Sequence, residues 1–169
     1  MTNLLNFKIQ KTHLKPACNA QMLVNTLVEL GVNSIFGYPG ASVLSIYNEL
    51  AKTNAIKHYL VRHEQAAIHA AEGYARSSGK VGVVLVTSGP GFTNTITGIA
   101  NANADSTPLI ILAGDVSSNN KHDKVFQDVN IVEICKSCCK KVYKLTATDD
   151  ITQVVNDAFH TANSGKKVL

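Results

Sequence analysis

Apolar positions along this chain fall into two alternating rhythms. Ala20, Leu23, Val24, Leu27 and Val28 recur at helical spacing, and Gly31 follows where a left-handed residue ends a helix. Ile35-Phe36-Gly37 then reads as a short strand, Pro39-Gly40 as a turn, and Ser42 as the cap of a helix with Val43, Leu44, Tyr47, Leu50 and Ala51 on one face. The unit repeats: Lys57 to Val61 is extended, and Glu64 to Ser78 carries Ala67, Ile68, Ala71, Tyr74 and Ala75 on one stripe, closed by Gly79. Val81 to Thr87 has no polar alternation, the mark of a central parallel strand covered by helices on both faces. A helix after Pro90-Gly91 presents Phe92, Ile96, Ile99 and Ala100, and Leu109 to Ala113 reads as another buried strand ended by Gly114.

Around Tyr143 the pattern predicts a weaker strand. The last helix is capped by Asp149 or Asp150, buries Ile151, Val154, Val155, Ala158, Phe159 and Ala162, and stops at Gly165. Strands alternating with helices imply right-handed crossovers and an α/β fold: a doubly wound, mostly parallel sheet with helices on both faces.

Composition narrows the class further. With 169 residues, 45% of them hydrophobic, the chain can bury one sizeable core, and it has no apolar run that would span a membrane. Met1 to Lys15 lacks the continuous apolar segment of a secretory signal, so residues 1–15 are expected to be an N-terminal extension and 16–169 the domain. The expected location is a reducing, cytoplasmic one. Lys166-Lys167-Val168-Leu169 reads as the start of one more strand, which predicts that the chain is a piece of a longer protein. The net charge of +4 is modest, and Lys136, Lys140, Lys141 and Lys144 read as a solvated face rather than a nucleic-acid surface. Cys135 and Cys138 have CxxC spacing, but no second ligand pair accompanies them; with Cys139 they read as reduced thiols beside a strand, and no metal site is expected. Cys18 reads as small packing material within the first helical pattern.

In an open α/β sheet, ligands bind outside the carboxyl ends of the strands. Tyr38-Pro39-Gly40, His63-Glu64, Thr87 to Gly91 and Gly114-Asp115 all fall at that edge. Residue type alone leaves Glu64 open between two roles: a working carboxylate, or a first-turn acid held by the helix dipole, worth about 0.3 to 1 kcal/mol. Ser88-Gly89-Pro90-Gly91 fits neither GxxxxGK[ST] nor GxGxxG, so it is no phosphate cradle. Ser88 also lacks the Gly-x-Ser-x-Gly elbow of a hydrolase nucleophile, and His63, His69 and His122 form no His-Glu-x-x-His metal motif.

Taken together, several segments resemble the acetolactate (acetohydroxyacid) synthase family of thiamine diphosphate enzymes in its N-terminal, pyrimidine-binding domain. They are Phe36-Gly37-Tyr38-Pro39-Gly40, Val61-Arg62-His63-Glu64-Gln65-Ala66-Ala67, His69 to Arg76, Val86 to Gly91, Thr97-Gly98-Ile99-Ala100, Asp105 to Leu109, Phe126-Gln127 and Ala158-Phe159-His160. The resemblance runs from about Pro16 to the end of the chain. It implies an enzyme that decarboxylates a 2-keto acid such as pyruvate and transfers the two-carbon unit to a second keto acid, in branched-chain amino acid biosynthesis. For Glu64 it implies a hydrogen bond to the N1′ ring nitrogen of the cofactor's aminopyrimidine, a pocket completed by Tyr38, Thr87, Pro90 and Asn94. Gly40, Ala41 and Phe126 would line the substrate pocket, and Gln127 would reach toward the reacting carbon.

Two departures accompany the likeness. Ala41 and Asp115 stand where the family usually has Gly and Gln, one adding a methyl group and the other a charge. Mg²⁺ would be held by a Gly-Asp-Gly…Asn motif in a separate diphosphate-binding domain of a neighbouring subunit, in a homodimer or tetramer, with FAD possible in the whole protein. This chain has no such motif, so alone it is expected to be inactive. Two alternatives stay open: a natural small subunit of a split keto-acid decarboxylase, and a non-catalytic domain that keeps the fold.

Overall fold

The computed structural model describes residues 18–116, 126–146 and 148–164. Helix α1 (Asn19–Glu29) leads to strand β1 (Ser34–Gly37), and a 3-10 turn over Ala41–Val43 opens α2 (Leu44–Leu50). Strand β2 (Lys57–Leu60) leads into α3 (Glu64–Ser78), and β3 (Gly82–Val86) into α4 (Pro90–Thr93) and α5 (Ile96–Ala104). Strand β4 (Leu109–Ala113) precedes α6 (Ile131–Cys135) and α7 (Ile151–Asn163). The sheet runs in the order β2-β1-β3-β4, and every pair is parallel.

Strand β3 shows why the fold is doubly wound. Its side chains alternate between two cores: Val83 and Leu85 join Leu27, Ile35, Val43, Val155 and Phe159 under α1, α2 and α7, whereas Val84 and Val86 join Ala67, Ile68, Ala71, Phe92 and Ile99 under α3 and α5. A strand buried on both faces has no polar side, which is the unbroken apolar run seen in the sequence. The chain steps from β1 outward to β2, crosses back over β1 to β3, and continues to β4. The winding therefore reverses between β1 and β3, and the crevice at that switch point is where loops leaving the two strands part to opposite faces of the sheet.

The helix ends follow their local chemistry. Gly79 closes α3 with φ +71, and Gly31 follows the end of α1 with φ +77. Asp150, not Asp149, caps α7 by accepting the Gln153 N–H at 3.0 Å, while Asp149 takes the N–H and hydroxyl of Thr146 instead. Helix α3 is fixed to α5 through Glu72, 5% exposed, which accepts Nδ2 of Asn101 at 2.6 Å and the Arg76 guanidinium at 2.6 Å. Arg76 reaches Asp105 as well, and these carboxylates hold its guanidinium above the usual range, the Asp105 hydrogen bond first and the Glu72 bond second.

Several expectations need correction. Ser42 caps no helix: Gly40 precedes the 3-10 turn, and Leu44 and Ala51 are exposed rather than on a buried face. The helix after Pro90 is two helices, because Thr95 turns its hydroxyl back onto the Phe92 carbonyl at 2.6 Å and interrupts the ladder; Ala100 is exposed. Strand β4 is half-exposed apart from Ile110, since its outer edge faces a groove of about 1110 Å³ lined by Leu109–Asp115 on one side and residues 140–145 on the other. That gap is also why residues 141–146 form no strand around Tyr143.

Cys18 is the exposed N-cap residue of α1 rather than core filling. Cys135, Cys138 and Cys139 sit on α6 and the turn after it; Cys135 and Cys138 are buried in the core cluster that holds Val84 and Val86 of β3, with Cys139 packed against it. Burial pushes the thiols of Cys135 and Cys139 up, so they stay protonated. The expected helix stop at Gly165, the strand at Lys166–Leu169 and His122 lie outside the described residues. Among the described residues no helix is long and apolar enough to cross a membrane, and no group of His, Cys, Asp and Glu is arranged to hold a metal ion.

Candidate functional site

The loop after β2 delivers Glu64 to the carboxyl edge of the sheet. Val61 is tied by its N–H to the Gly37 carbonyl at 3.1 Å, and His63 caps α3, its Nδ1 accepting the Gln65 N–H at 3.1 Å. Glu64 is thus the first residue of a helix of 15 residues, where the helix dipole favours its charge. Its side chain is nevertheless folded inward: Glu64 is 8% exposed, and Oε2 accepts Nδ2 of Asn94 at 2.9 Å. Among the described residues this is the carboxylate's only hydrogen bond, and no cation pairs with it. The inward turn and the bond to Asn94 set this acid apart from a solvated first-turn carboxylate.

Small residues let the backbone close on Thr87, next to the free oxygen. A methyl group placed on Gly91 would lie 3.5 Å from Oε1 of Glu64 and 2.5 Å from Cγ2 of Thr87. One on Gly40 would lie 2.4 Å from Cβ of Thr87, although the backbone of Gly40 is extended and open to any residue. Gly40 is therefore set by the close approach of two loops, and Gly91 by Thr87 in its own loop, rather than by a dihedral requirement. Thr87, Gly91, Asn94 and Glu64 are neighbours at the carboxyl edge of the sheet, beside the switch point between β1 and β3.

Around that centre the other expected residues are placed unevenly. Pro90 is the exposed first residue of α4, after the tight turn at Gly89 with φ 54 and ψ −115. Tyr38 is anchored by its N–H to the Leu85 carbonyl at 3.2 Å and leaves its ring partly in solvent. Gly40 contacts Thr87, while Ala41 is exposed at the mouth of the same loop. Gln127 has φ 65 and lays its backbone against the glycine loop: a methyl on Gly89 would sit 2.4 Å from the Gln127 carbonyl oxygen. Phe126 is 85% exposed, which excludes a core contact as the reason for its presence. Asp115 accepts the Val116 N–H at 2.9 Å and lies 3.9 Å from Lys144, so its charge has a cation nearby.

The arrangement can present one carboxylate oxygen, held by Asn94 through its partner oxygen, to a proton-bearing group in the crevice. The family model described as "Thiamine pyrophosphate enzyme, N-terminal TPP binding domain" matches residues 19–134, which contain all of these groups. The chain belongs to the thiamine pyrophosphate enzyme family. Within that family it is similar to the acetolactate synthase large subunit of Lactococcus lactis, 47% identical over 152 residues, covering 90% of this chain and 26% of that protein. It is 50% identical over 147 residues to the acetolactate synthase isozyme 3 large subunit of Escherichia coli, covering 87% of this chain and 26% of that one. Acetolactate synthase 3, chloroplastic, of Brassica napus is 42% identical over 152 residues, covering 90% and 23%. The chain spans about a quarter of the length of these curated relatives.

The residues present fit the aminopyrimidine end of the cofactor. Oε1 of Glu64 has no hydrogen-bond partner among the described residues, and Gly91 sets no side chain beside it. The sequence signals missed Ser42, whose Oγ accepts the Ser88 N–H at 3.0 Å and lies 2.9 Å from Oγ1 of Thr87. No local pattern could have found a contact spanning 45 residues of chain.

Proposed function

We propose that this chain is the cofactor-activating, pyrimidine-binding domain of an acetolactate-synthase-like enzyme, with residues 16–169 as the domain and 1–15 as an extension to it. The observation that carries the reading is the buried Glu64 carboxylate with one oxygen committed to Asn94 and the other free toward the crevice. Thiamine diphosphate, when bound, supplies the carbon nucleophile for decarboxylating a 2-keto acid such as pyruvate and passing its two-carbon unit to a second keto acid.

The chain's own residues do the rest. Glu64 accepts and returns a proton at Oε1, the step that a positioned general acid–base group performs. Asn94 holds Oε2 so that the carboxylate cannot rotate away, and Thr87, Pro90 and Tyr38 line the ring pocket. Gly40, Ala41 and Phe126 border the substrate, and Gln127, braced on Gly89, completes the catalytic set. Mg²⁺ and the diphosphate belong to a second domain contributed by a neighbouring subunit of a homodimer or tetramer, and FAD, where used, to a further one. The similarity to acetolactate synthases across nine-tenths of the chain supports this choice of reaction.

The test is turnover of pyruvate by the full-length protein with thiamine diphosphate and Mg²⁺. Glu64→Gln keeps the shape of the side chain but cannot share a proton in the same way, and is expected to lower kcat about 100-fold to 10,000-fold. Undiminished turnover in Glu64→Ala would contradict the assignment.

A further inference from the structure

We propose that Ser42 is a positioning residue of this site: its hydroxyl fixes Thr87, and thereby the wall of the pocket facing Glu64. The proposal rests on the reading of the crevice as a cofactor pocket. It starts from what the hydroxyl does in place of capping a helix. Ser42 leaves the β1 loop and meets the β3 loop, where its Oγ accepts the backbone N–H of Ser88 at 3.0 Å and lies 2.9 Å from Oγ1 of Thr87. The β4 loop closes on the same atom, since a methyl on Gly114 would stand 2.0 Å from Oγ of Ser42 and 2.7 Å from its Cβ. Three loops that leave the carboxyl edge of the sheet are therefore gathered on one hydroxyl, across the switch point where the winding reverses.

A serine hydroxyl has one proton and two acceptor positions. The Ser88 amide takes one acceptor position, and the bond to Thr87 uses the proton or the other acceptor. Ser88 is itself buried, so its N–H has no water to turn to if the serine oxygen is removed. Thr87 is already held between Gly40 and Gly91 at distances no added side chain would tolerate, and the hydrogen bond selects one rotamer within that slot. The opposite wall of the slot is Gly91, whose other neighbour is Oε1 of Glu64. Loss of the Ser42 hydroxyl therefore loosens the group that stands across Gly91 from the working carboxylate oxygen, without touching the carboxylate.

The experiment uses the full-length protein and calorimetric titration with thiamine diphosphate in the presence of Mg²⁺. Ser42→Ala is expected to raise the dissociation constant about fivefold or more, the change that corresponds to losing one ordinary hydrogen bond. The same substitution in a Thr87→Val background is expected to change it little further, because the two residues act as one unit. Ser42→Cys keeps a side chain of similar size against Gly114 while weakening both hydrogen bonds, and is expected to weaken binding in the same direction. Amide hydrogen exchange at Ser88 should accelerate in Ser42→Ala with or without ligand.

Faster exchange at Ser88 with unchanged binding in both Ser42 variants would overturn the positioning role and leave a merely structural one. Independent, multiplying effects of Ser42→Ala and Thr87→Val would overturn it too. A wild-type protein that binds no thiamine diphosphate would instead defeat the reading of the pocket, and this proposal with it, so the two failures are told apart by the wild-type titration.

Discussion

The two flanks of β3 are built on opposite principles. On the β1 side, Gly40, Ser42, Thr87 and Gly91 bring loops so close that a single methyl group would collide, and Ser42 ties the approach with hydrogen bonds. On the β4 side, Leu109, Ile111 and Leu112 are larger and more apolar, yet they are only half-buried and border an open groove of about 1110 Å³. Large side chains fill a core where there is something to pack on. Fixing a reactive oxygen needs small residues and short hydrogen bonds, so that groups from separate loops meet at a defined distance. Glu64 and Asn94 lie on the tight flank, whereas β4 leaves an edge with no strand partner on its outer side among the described residues.

Substitutions on either side of β3 sharpen that contrast. Leu85 is fully buried between α1, α2 and the sheet, and Leu85→Ala is expected to lower unfolding free energy by about 2–5 kcal/mol, read from urea denaturation of the full-length protein. Leu112→Ala, in the half-exposed neighbouring strand, is expected to cost less than half as much; equal costs would mean that β4 is as well covered as β3. Phe126→Ala probes the exposed rim: stability is expected to change by less than about 0.5 kcal/mol, while KM for pyruvate rises and thiamine diphosphate affinity holds. A loss of stability there would show that Phe126 packs on something.

The smallest expected effect lies behind the site, where Tyr47 and His58 meet at 3.0 Å. Burial pushes the Tyr47 hydroxyl up to about 12 and His58 below its usual range. Because the folded chain holds His58 neutral more firmly than the unfolded chain does, the unfolded state binds more protons once pH falls below about 6.5. Stability contributed here is full above that pH and declines as pH drops through it. His58→Gln is expected to flatten that decline in thermal midpoints measured between pH 7.5 and pH 5.5.

Much of the architecture was legible because it depends on local signals. Helix α3 begins at Glu64 and ends before Gly79 as the pattern predicts, since an apolar stripe and a left-handed glycine fix its length and stop. Strand β3 was legible because a strand buried on both faces has no polar residue to spare. What could not be read depends on distant chain. Ser42 has the residue type of a helix cap, and only the arrival of Thr87, 45 residues on, gives it another task. The break at Thr95 comes from one hydroxyl bonding backward, and α6 is too short, at five residues, for periodicity to register. Tyr143 and its neighbours have strand composition but pair with no strand among the described residues. Glu64 itself was visible as a candidate, whereas its burial and its bond to Asn94 were not.

The most direct measurement is the rate of hydrogen–deuterium exchange at C2 of thiamine diphosphate bound to the full-length protein, followed by NMR in wild type and Glu64→Gln. With Glu64 as the proton-sharing group, exchange should slow about 100-fold or more in the variant while the cofactor stays bound. Equal exchange rates in the two proteins would contradict the account, whatever else the crevice proves to hold.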